Sequence, residues 1–151
     1  MTANVTIRIQ EADFDIAREI SALTKGCTDV GAVVSFSGIC RGSDAGNAIA
    51  ALTLEHCPGM AEAEIARHVE TAMSRWPLTG VSVIHRVGRI AAGENIVLVL
   101  TASEHRQAAF AGAEFLMDYL KANAPFWRKR LAHPGLPGLW LSATVRWRYR
   151  R

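Results

Sequence analysis

No stretch of this 151-residue chain is apolar for eighteen residues in a row, so no transmembrane helix is expected. The opening residues Met1-Thr2-Ala3-Asn4-Val5 lack the basic and apolar regions of a signal peptide, and a cytoplasmic location is the expectation. Cysteine is scarce. Cys27, Cys40 and Cys57 form no Cys-x-x-Cys pair and no paired metal-ligand spacing, so free thiols and no metal centre are expected. Each is most simply a small, partly buried residue. A nucleophilic thiolate needs a nearby positive group, and only Cys40, beside Arg41, has one in sequence. Repeats, linkers and low-complexity segments are also missing, which favours one domain over residues 1–151.

What is present is a globular balance: half the residues are apolar and 21% are charged, enough for one core. The net charge of +3 suggests anionic partners without specifying them. Much of the excess is local. Arg128-Lys129-Arg130 is one cluster, and Arg146, Arg148, Arg150 and Arg151 alternate with Trp147 and Tyr149 in a second. Basic and aromatic residues in alternation can bind single-stranded nucleic acid. An edge strand with one solvated face gives the same pattern more often.

Along the chain, Val5, Ile7 and Ile9 alternate as in a strand. A helix is expected over Asp13 to Leu23, capped by Asp13. Val30 to Cys40 reads as a long buried strand, followed by the loop Arg41 to Asn47. Ile49 to His56 reads as a strand, and Met60 to Trp76 as a helix with Ile65, Val69, Ala72, Met73 and Trp76 on its core face. Strands are expected over Val81 to Val87 and Ile96 to Leu100, with a turn from Gly88 to Gly93 between them. Ser103 is placed to cap a helix reaching Asn123, whose core face is Ala109, Phe110, Ala113, Leu116, Met117 and Leu120. Leu139 to Trp147 resembles a last strand. Hairpin-like pairs beside βα units point to an α+β fold.

Three places hold cations next to structured elements. Arg41 ends the long strand where a glycine-containing loop begins; alone, it is an ordinary solvated arginine. His105-Arg106 stands at a helix start, where free N–H groups and the dipole favour an anion. Cations there oppose the dipole, which is tolerable if a phosphate or carboxylate binds; solvated side chains are an equal alternative. Lys121 lies near that helix's far end, with Arg128-Lys129-Arg130 beyond the Pro125-Phe126-Trp127 break. Burial and neighbouring positive charge lower a lysine pKa and let it exchange protons or attack a carbonyl carbon. His105 and Lys121 are sixteen residues apart, roughly 24 Å on one helix. Either there are two sites, or two chains bring opposite helix ends together.

These stretches resemble the molybdopterin synthase catalytic subunit family. The resemblance is carried by Gly31-Ala32-Val33-Val34-Ser35-Phe36-Ser37-Gly38 leading to Arg41, Leu52-Thr53-Leu54-Glu55-His56 with Pro58-Gly59-Met60, and Arg75-Trp76-Pro77-Leu78. Val83-Ile84-His85-Arg86-Val87-Gly88, His105-Arg106, and Met117-Asp118-Tyr119-Leu120-Lys121 with Ala124-Pro125-Phe126-Trp127 complete it. It covers roughly residues 30 to 130.

The resemblance implies an α/β-hammerhead form of the α+β fold, with a mixed, mainly antiparallel sheet. It implies a homodimer carrying a small ubiquitin-like sulfur-carrier subunit at each end, a heterotetramer. The carrier's Gly-Gly tail, ending in a thiocarboxylate, gives up sulfur to cyclic pyranopterin monophosphate. Two transfers make the dithiolene of molybdopterin, with no cofactor, metal or cysteine of this subunit. Residue by residue, Lys121 matches the principal catalytic lysine. Arg41, with the backbone of Ile39 and Cys40, matches the substrate-binding strand end. His105 and Arg106 match an anion-binding pair, and Arg128, Lys129 and Arg130 match a basic segment with a catalytic contribution at position 128. Arg128 departs from the family, where a lysine is usual. Arginine binds phosphate or carboxylate through its fork but supplies no neutral amine. Either that role is electrostatic, or Lys129 takes it over. Two other functions stay open: a scaffold that binds a ubiquitin-like tail without catalysis, and, as a weaker alternative, nucleic-acid binding by the basic aromatic tail.

Overall fold

The computed structural model describes residues 3–122 and 126 with their side chains, and the backbone of 127–132. Asn95–Ser103 carries an almost unbroken run of Val, Leu, Ile, Thr and Ala, the composition of a strand buried on both faces. It takes an interior place in a four-stranded sheet. In chain order the elements are β1 (Asn4–Gln10), α1 (Ile16–Thr24), β2 (Ala32–Ile39), β3 (Ser43–Asp44), β4 (Asn47–His56) and α2 (Met60–Arg75). They continue with β5 (Leu78–Arg86), β6 (Gly88–Ala91), β7 (Asn95–Ser103), α3 (Arg106–Ala122) and β8 (Phe126–Ala132).

The main sheet has the order β1-β5-β7-β2. β1 and β5 are parallel, while β5–β7 and β7–β2 are antiparallel. In the smaller sheet β4 pairs with β3, β6 and β8, antiparallel in each case. The fold is α+β, with a mixed and mainly antiparallel sheet as expected. No described helix is long and apolar enough to cross a membrane.

Strand alternation divides the core. Val81, Val83, Val97 and Val99 point towards α2 and α3, where Ile65, Val69, Ala72, Leu116 and Met117 meet them. Ile84, Leu98, Leu100 and Ala102 point to the other side, closed by Phe14, Ile20 and Leu23 at α1. Burial at ~25 cal/mol per Å² of apolar surface drives both interfaces. A third, smaller cluster joins Cys40 to Leu52, Leu54 and Ile90 of the second sheet.

Several local expectations shift. The first helix starts at Ile16, and its cap is Asp15, whose carboxylate accepts from Arg18 N at 3.1 Å. Asp13 is taken elsewhere: its Oδ1 accepts from Phe14 N and, across the fold, from Asn95 Nδ2. The long strand is Ala32–Ile39, shorter at both ends than Val30 to Cys40. Ser103 belongs to β7 rather than capping α3; its hydroxyl donates to Pro77 O at 2.9 Å and accepts a long bond from His105 N. Phe110 is 61% exposed instead of core-facing. The buried stripe runs through Ala108, Ala109, Gly112, Ala113 and Leu116, and the small residues let α3 approach the sheet closely. The Gly88–Gly93 region contains β6 as well as a turn. The candidate strand Leu139 to Trp147 lies outside the described residues.

One close approach fixes the start of α3. Gly31 N donates to Ser103 O, and a Cβ on Gly31 would lie 2.1 Å from the Glu104 carbonyl oxygen. Backbone, not a flexible side chain, blocks that space. Gly31→Ala is therefore expected to destabilise the fold by about 3 kcal/mol, read as a lower urea midpoint with an unchanged m-value.

Candidate active site

Strand directions sort the candidate residues before any side chain is considered. β7 runs antiparallel to β2, and α3 returns antiparallel to β7, so α3 runs alongside β2 in the same direction. Ala32 pairs with Ser103 at one end and Ile39 with Asn95 at the other. His105 and Arg106 consequently sit at the Gly31–Ala32 end. Lys121 sits at the Ile39 end.

Side-chain contacts agree. The Lys121 ammonium lies 5.7 Å from the Phe36 ring centroid. The Phe36 ring borders Gly38, where a Cβ would lie 3.6 Å from Phe36 Cε1. Gly38, Val97, His85 and Ile9 form one row across the sheet. Phe126, the first residue of β8, stacks on His85 in that row at 3.9 Å between centroids and 11° between planes. His85 is held by Nδ1, 2.8 Å from Arg86 O. Lys121, the end of β2 and the start of β8 thus share one end of the main sheet.

Beyond Phe126 the β8 backbone places Arg128, Lys129 and Arg130 opposite Leu54, Thr53 and Leu52 of β4. Their side chains lie outside the described residues.

At the end of β2, Ile39 is 53% exposed, while Cys40 is buried and packs on Leu52, Leu54 and Ile90. That burial gives Cys40 a structural place; Cys27 and Cys57 are half-buried free thiols. Arg41 projects outward, with Asp44 3.6 Å from its guanidinium. An exposed pair of this kind contributes about 0–1 kcal/mol. At the opposite end His105 and Arg106 are exposed, and His105 Nε2 stands 3.6 Å from Glu104 Oε1. The structure therefore brings Ile39, Cys40, Arg41 and Lys121 to one end and does not bring His105 or Arg106 to them. No group of three or more His, Cys, Asp or Glu among the described residues is arranged to hold a metal.

A buried polar network supports the β2 end. The Arg86 side chain, only 9% exposed, donates to Glu11 O, Asn95 O and Glu94 Oε2. Asp13 joins it through Asn95; the Asn95 amide first, then the Phe14 N–H and the Arg86 charge, hold its carboxyl below the usual range. Sequence reasoning gave Arg86, Glu94 and Asn95 no role and read Asp13 only as a helix cap. The available signal was the arginine in Val83-Ile84-His85-Arg86-Val87-Gly88, a cation at the end of a strand that is buried along almost its whole length.

With this geometry in place, the class is a small α+β protein that gathers exposed cations at two opposite ends of one helix–strand pair. Similarity then narrows it. The family model described as MoaE protein matches residues 9–123. Molybdopterin synthase catalytic subunits from Mesorhizobium japonicum and Rhizobium meliloti are 62% and 57% identical, covering 91% and 95% of this chain and 86% and 91% of theirs. A solved molybdopterin biosynthesis MoaE protein from Burkholderia ambifaria superposes with a TM-score of 0.74 at 45% identity, covering 82% of this chain and 81% of that one. The chain belongs to the MoaE protein family, the family of molybdopterin synthase catalytic subunits, and its class is that of enzymes transferring sulfur in molybdopterin formation.

A separate groove between α2 and α3, of about 460 Å³, is lined by Arg67, His68, Thr71, Arg75, Phe115, Asp118, Tyr119 and Ala122. It lies on the α2 side of α3, whereas Lys121 faces Phe36 of β2. His68 stacks on Tyr119, whose buried hydroxyl has no hydrogen-bond partner among the described residues. Burial, then the Glu64 carboxylate, push the phenol up to about 12 from its ordinary 10.0. The folded state holds this proton where the unfolded chain releases it, so stability falls as pH rises from 10 towards 12. Tyr119→Phe should remove that alkaline slope and stabilise the protein at pH 7 by about 1 kcal/mol, measured by urea unfolding at both pH values.

Proposed function

We propose that this chain moves sulfur from the C-terminal thiocarboxylate of a small ubiquitin-like carrier subunit to cyclic pyranopterin monophosphate, with Lys121 as the central catalytic residue. The observation that supports this most is the placement of Lys121 beside Phe36, at the sheet end shared by Ile39–Arg41 and the start of β8. The curated relatives are named as catalytic subunits, and a catalytic subunit works with another chain.

An extended carrier tail reaching this end would meet the Lys121 ammonium at its terminal thiocarboxylate. A lysine there holds the anion as a point charge and, once deprotonated, takes up a proton as the sulfur changes partners. The backbone at Ile39 and Cys40, with Arg41, would hold the pterin substrate. Arg128, Lys129 and Arg130 follow in β8 and supply positive charge; arginine at 128 restricts that residue to an electrostatic role.

His105 and Arg106 enter through a second copy. At 1.5 Å per residue they stand roughly 24 Å from Lys121 along α3, beyond the reach of one small ligand. In a homodimer that sets the start of one α3 against the end of its partner's, they would bind the substrate phosphate, aided by free N–H groups at the helix start. With a carrier at each end the assembly is a heterotetramer. It works in the cytoplasm, each catalytic chain acting as one domain over 1–151 and needing no cofactor of its own.

The test is sulfur transfer from a thiocarboxylated carrier to cyclic pyranopterin monophosphate, with the dithiolene product followed by mass spectrometry. Lys121→Ala should lower turnover at least about a hundredfold at saturating carrier while far-UV circular dichroism stays unchanged. Full activity in that variant would end the catalytic assignment. Arg128→Lys should leave turnover within about twofold if only charge acts there; a clear rise would mean a neutral amine serves better at that position.

A further inference from the structure

We propose that Arg86 is a positioning residue for the substrate: it sets the backbone of Ile39–Cys40–Arg41 from the far side of the turn between β6 and β7. This rests on the reading that this strand end binds the pterin substrate.

Regular pairing in β2 stops short of the residues concerned. Gly38 pairs with Val97, but Ile39 pairs with Asn95, so an irregularity falls between Gly38 and Ile39 and turns the chain out of the ladder. The backbone of Cys40 is bonded to the turn on both sides, while its side chain packs on Leu52, Leu54 and Ile90. Its N–H donates to Glu94 O at 2.9 Å, and its carbonyl accepts from Gly93 N at 2.7 Å. A shift of that turn therefore shifts both backbone bonds of Cys40, the residue before Arg41.

The turn is placed by a buried cation. Arg86 Nη1 donates to Asn95 O at 3.0 Å and to Glu94 Oε2 at 3.3 Å, and Nε donates to Glu11 O at 3.0 Å. The same Glu94 oxygen accepts from Ala91 N at 3.2 Å, and Glu94 N donates to Ala91 O at 3.0 Å, closing the turn on itself. Asn95 Nδ2 reaches Asp13 Oδ1 at 3.0 Å, tying the turn to the segment that follows β1. The planar guanidinium thus joins three chain segments at fixed angles, which lysine cannot reproduce. Arg86 itself is buried and touches no substrate atom on this reading; it acts through Glu94 and Cys40.

The experiment compares Arg86→Gln, Glu94→Ala and Arg41→Ala in the complete synthase with its carrier. It measures kcat, KM for the pterin substrate, and NMR amide exchange at Cys40 and Gly93. Arg86→Gln should raise KM about tenfold, kcat should stay within about twofold, and both amides should exchange faster. Glu94→Ala removes the carboxylate but keeps the backbone acceptors for Arg86, and should give a smaller KM rise of about threefold. It also serves if Arg86→Gln does not fold. A KM unchanged in the folded Arg86 or Glu94 variant, while Arg41→Ala raises it, overturns the positioning role. A fall in kcat that merely tracks lost folded protein overturns it too. An unchanged KM in Arg41→Ala would instead refute the substrate reading of the strand end, and the two amides would still show whether Arg86 places Cys40.

Discussion

Every residue of β7 from Val97 to Ser103 is buried, and such a strand has to lie inside a sheet with both faces covered. Much of the rest of the fold depends on this constraint. β5 and β2 occupy its two edges, both antiparallel to it, and α3 leaves its C-terminal end to cover one face. Because α3 reverses β7, it must run with β2. The consequence reaches the chemistry: the helix start and the strand start share one end, and the helix end and the strand end share the other. Lys121 meets Phe36 and the exit of β2 for this topological reason, and His105 is kept from both for the same reason.

A second constraint is the burial of Arg86. A guanidinium removed from water is tolerated only with its donors satisfied and its charge partly balanced. Here two backbone carbonyls and the Glu94 carboxylate do this, from the segment after β1, the turn before β7 and the first residue of β7. The Glu94 carboxylate is itself half-exposed, so its attraction is softened by solvent. The carbonyl bonds therefore carry the geometry, with the ion pair adding direction. In return the segment after β1, the turn before β7 and the exit of β2 become one unit.

Strands with β-branched residues on both faces were legible in the sequence, as were both long helices, because burial leaves a periodic apolar pattern. The family motifs were legible too, and so was the impossibility of one helix serving one ligand at both ends. Finer features were not. Asp13 and Asp15 are equally good caps locally, and the choice is made by Asn95, 82 residues away. Phe110 fits an apolar helical stripe, but Ala108, Ala109 and Gly112 draw the helix down on an adjacent stripe and leave the ring outside. β8 could not be read because the basic run Arg128-Lys129-Arg130 hides its strand character. Its pairing with β4 is set by register, and the ring of Phe126 docks on His85. Arg86 carried a motif but no role, since two of its partners are backbone carbonyls that no side-chain pattern reports.

Exposure of the candidate cations bears directly on the proposed mechanism. Lys121, Arg41, His105 and Arg106 all face solvent in the single chain. A charge in water binds an anion weakly and is screened within roughly 8–10 Å at ordinary ionic strength. Catalysis on the proposed reading needs Lys121 desolvated, and on that reading the carrier tail over Phe36 and a second copy bringing His105 and Arg106 to the phosphate supply the walls. Ordering then becomes part of specificity. On the proposed reading the lysine loses its water only when tail, partner and substrate are together, so sulfur is protected from release by the incomplete assembly.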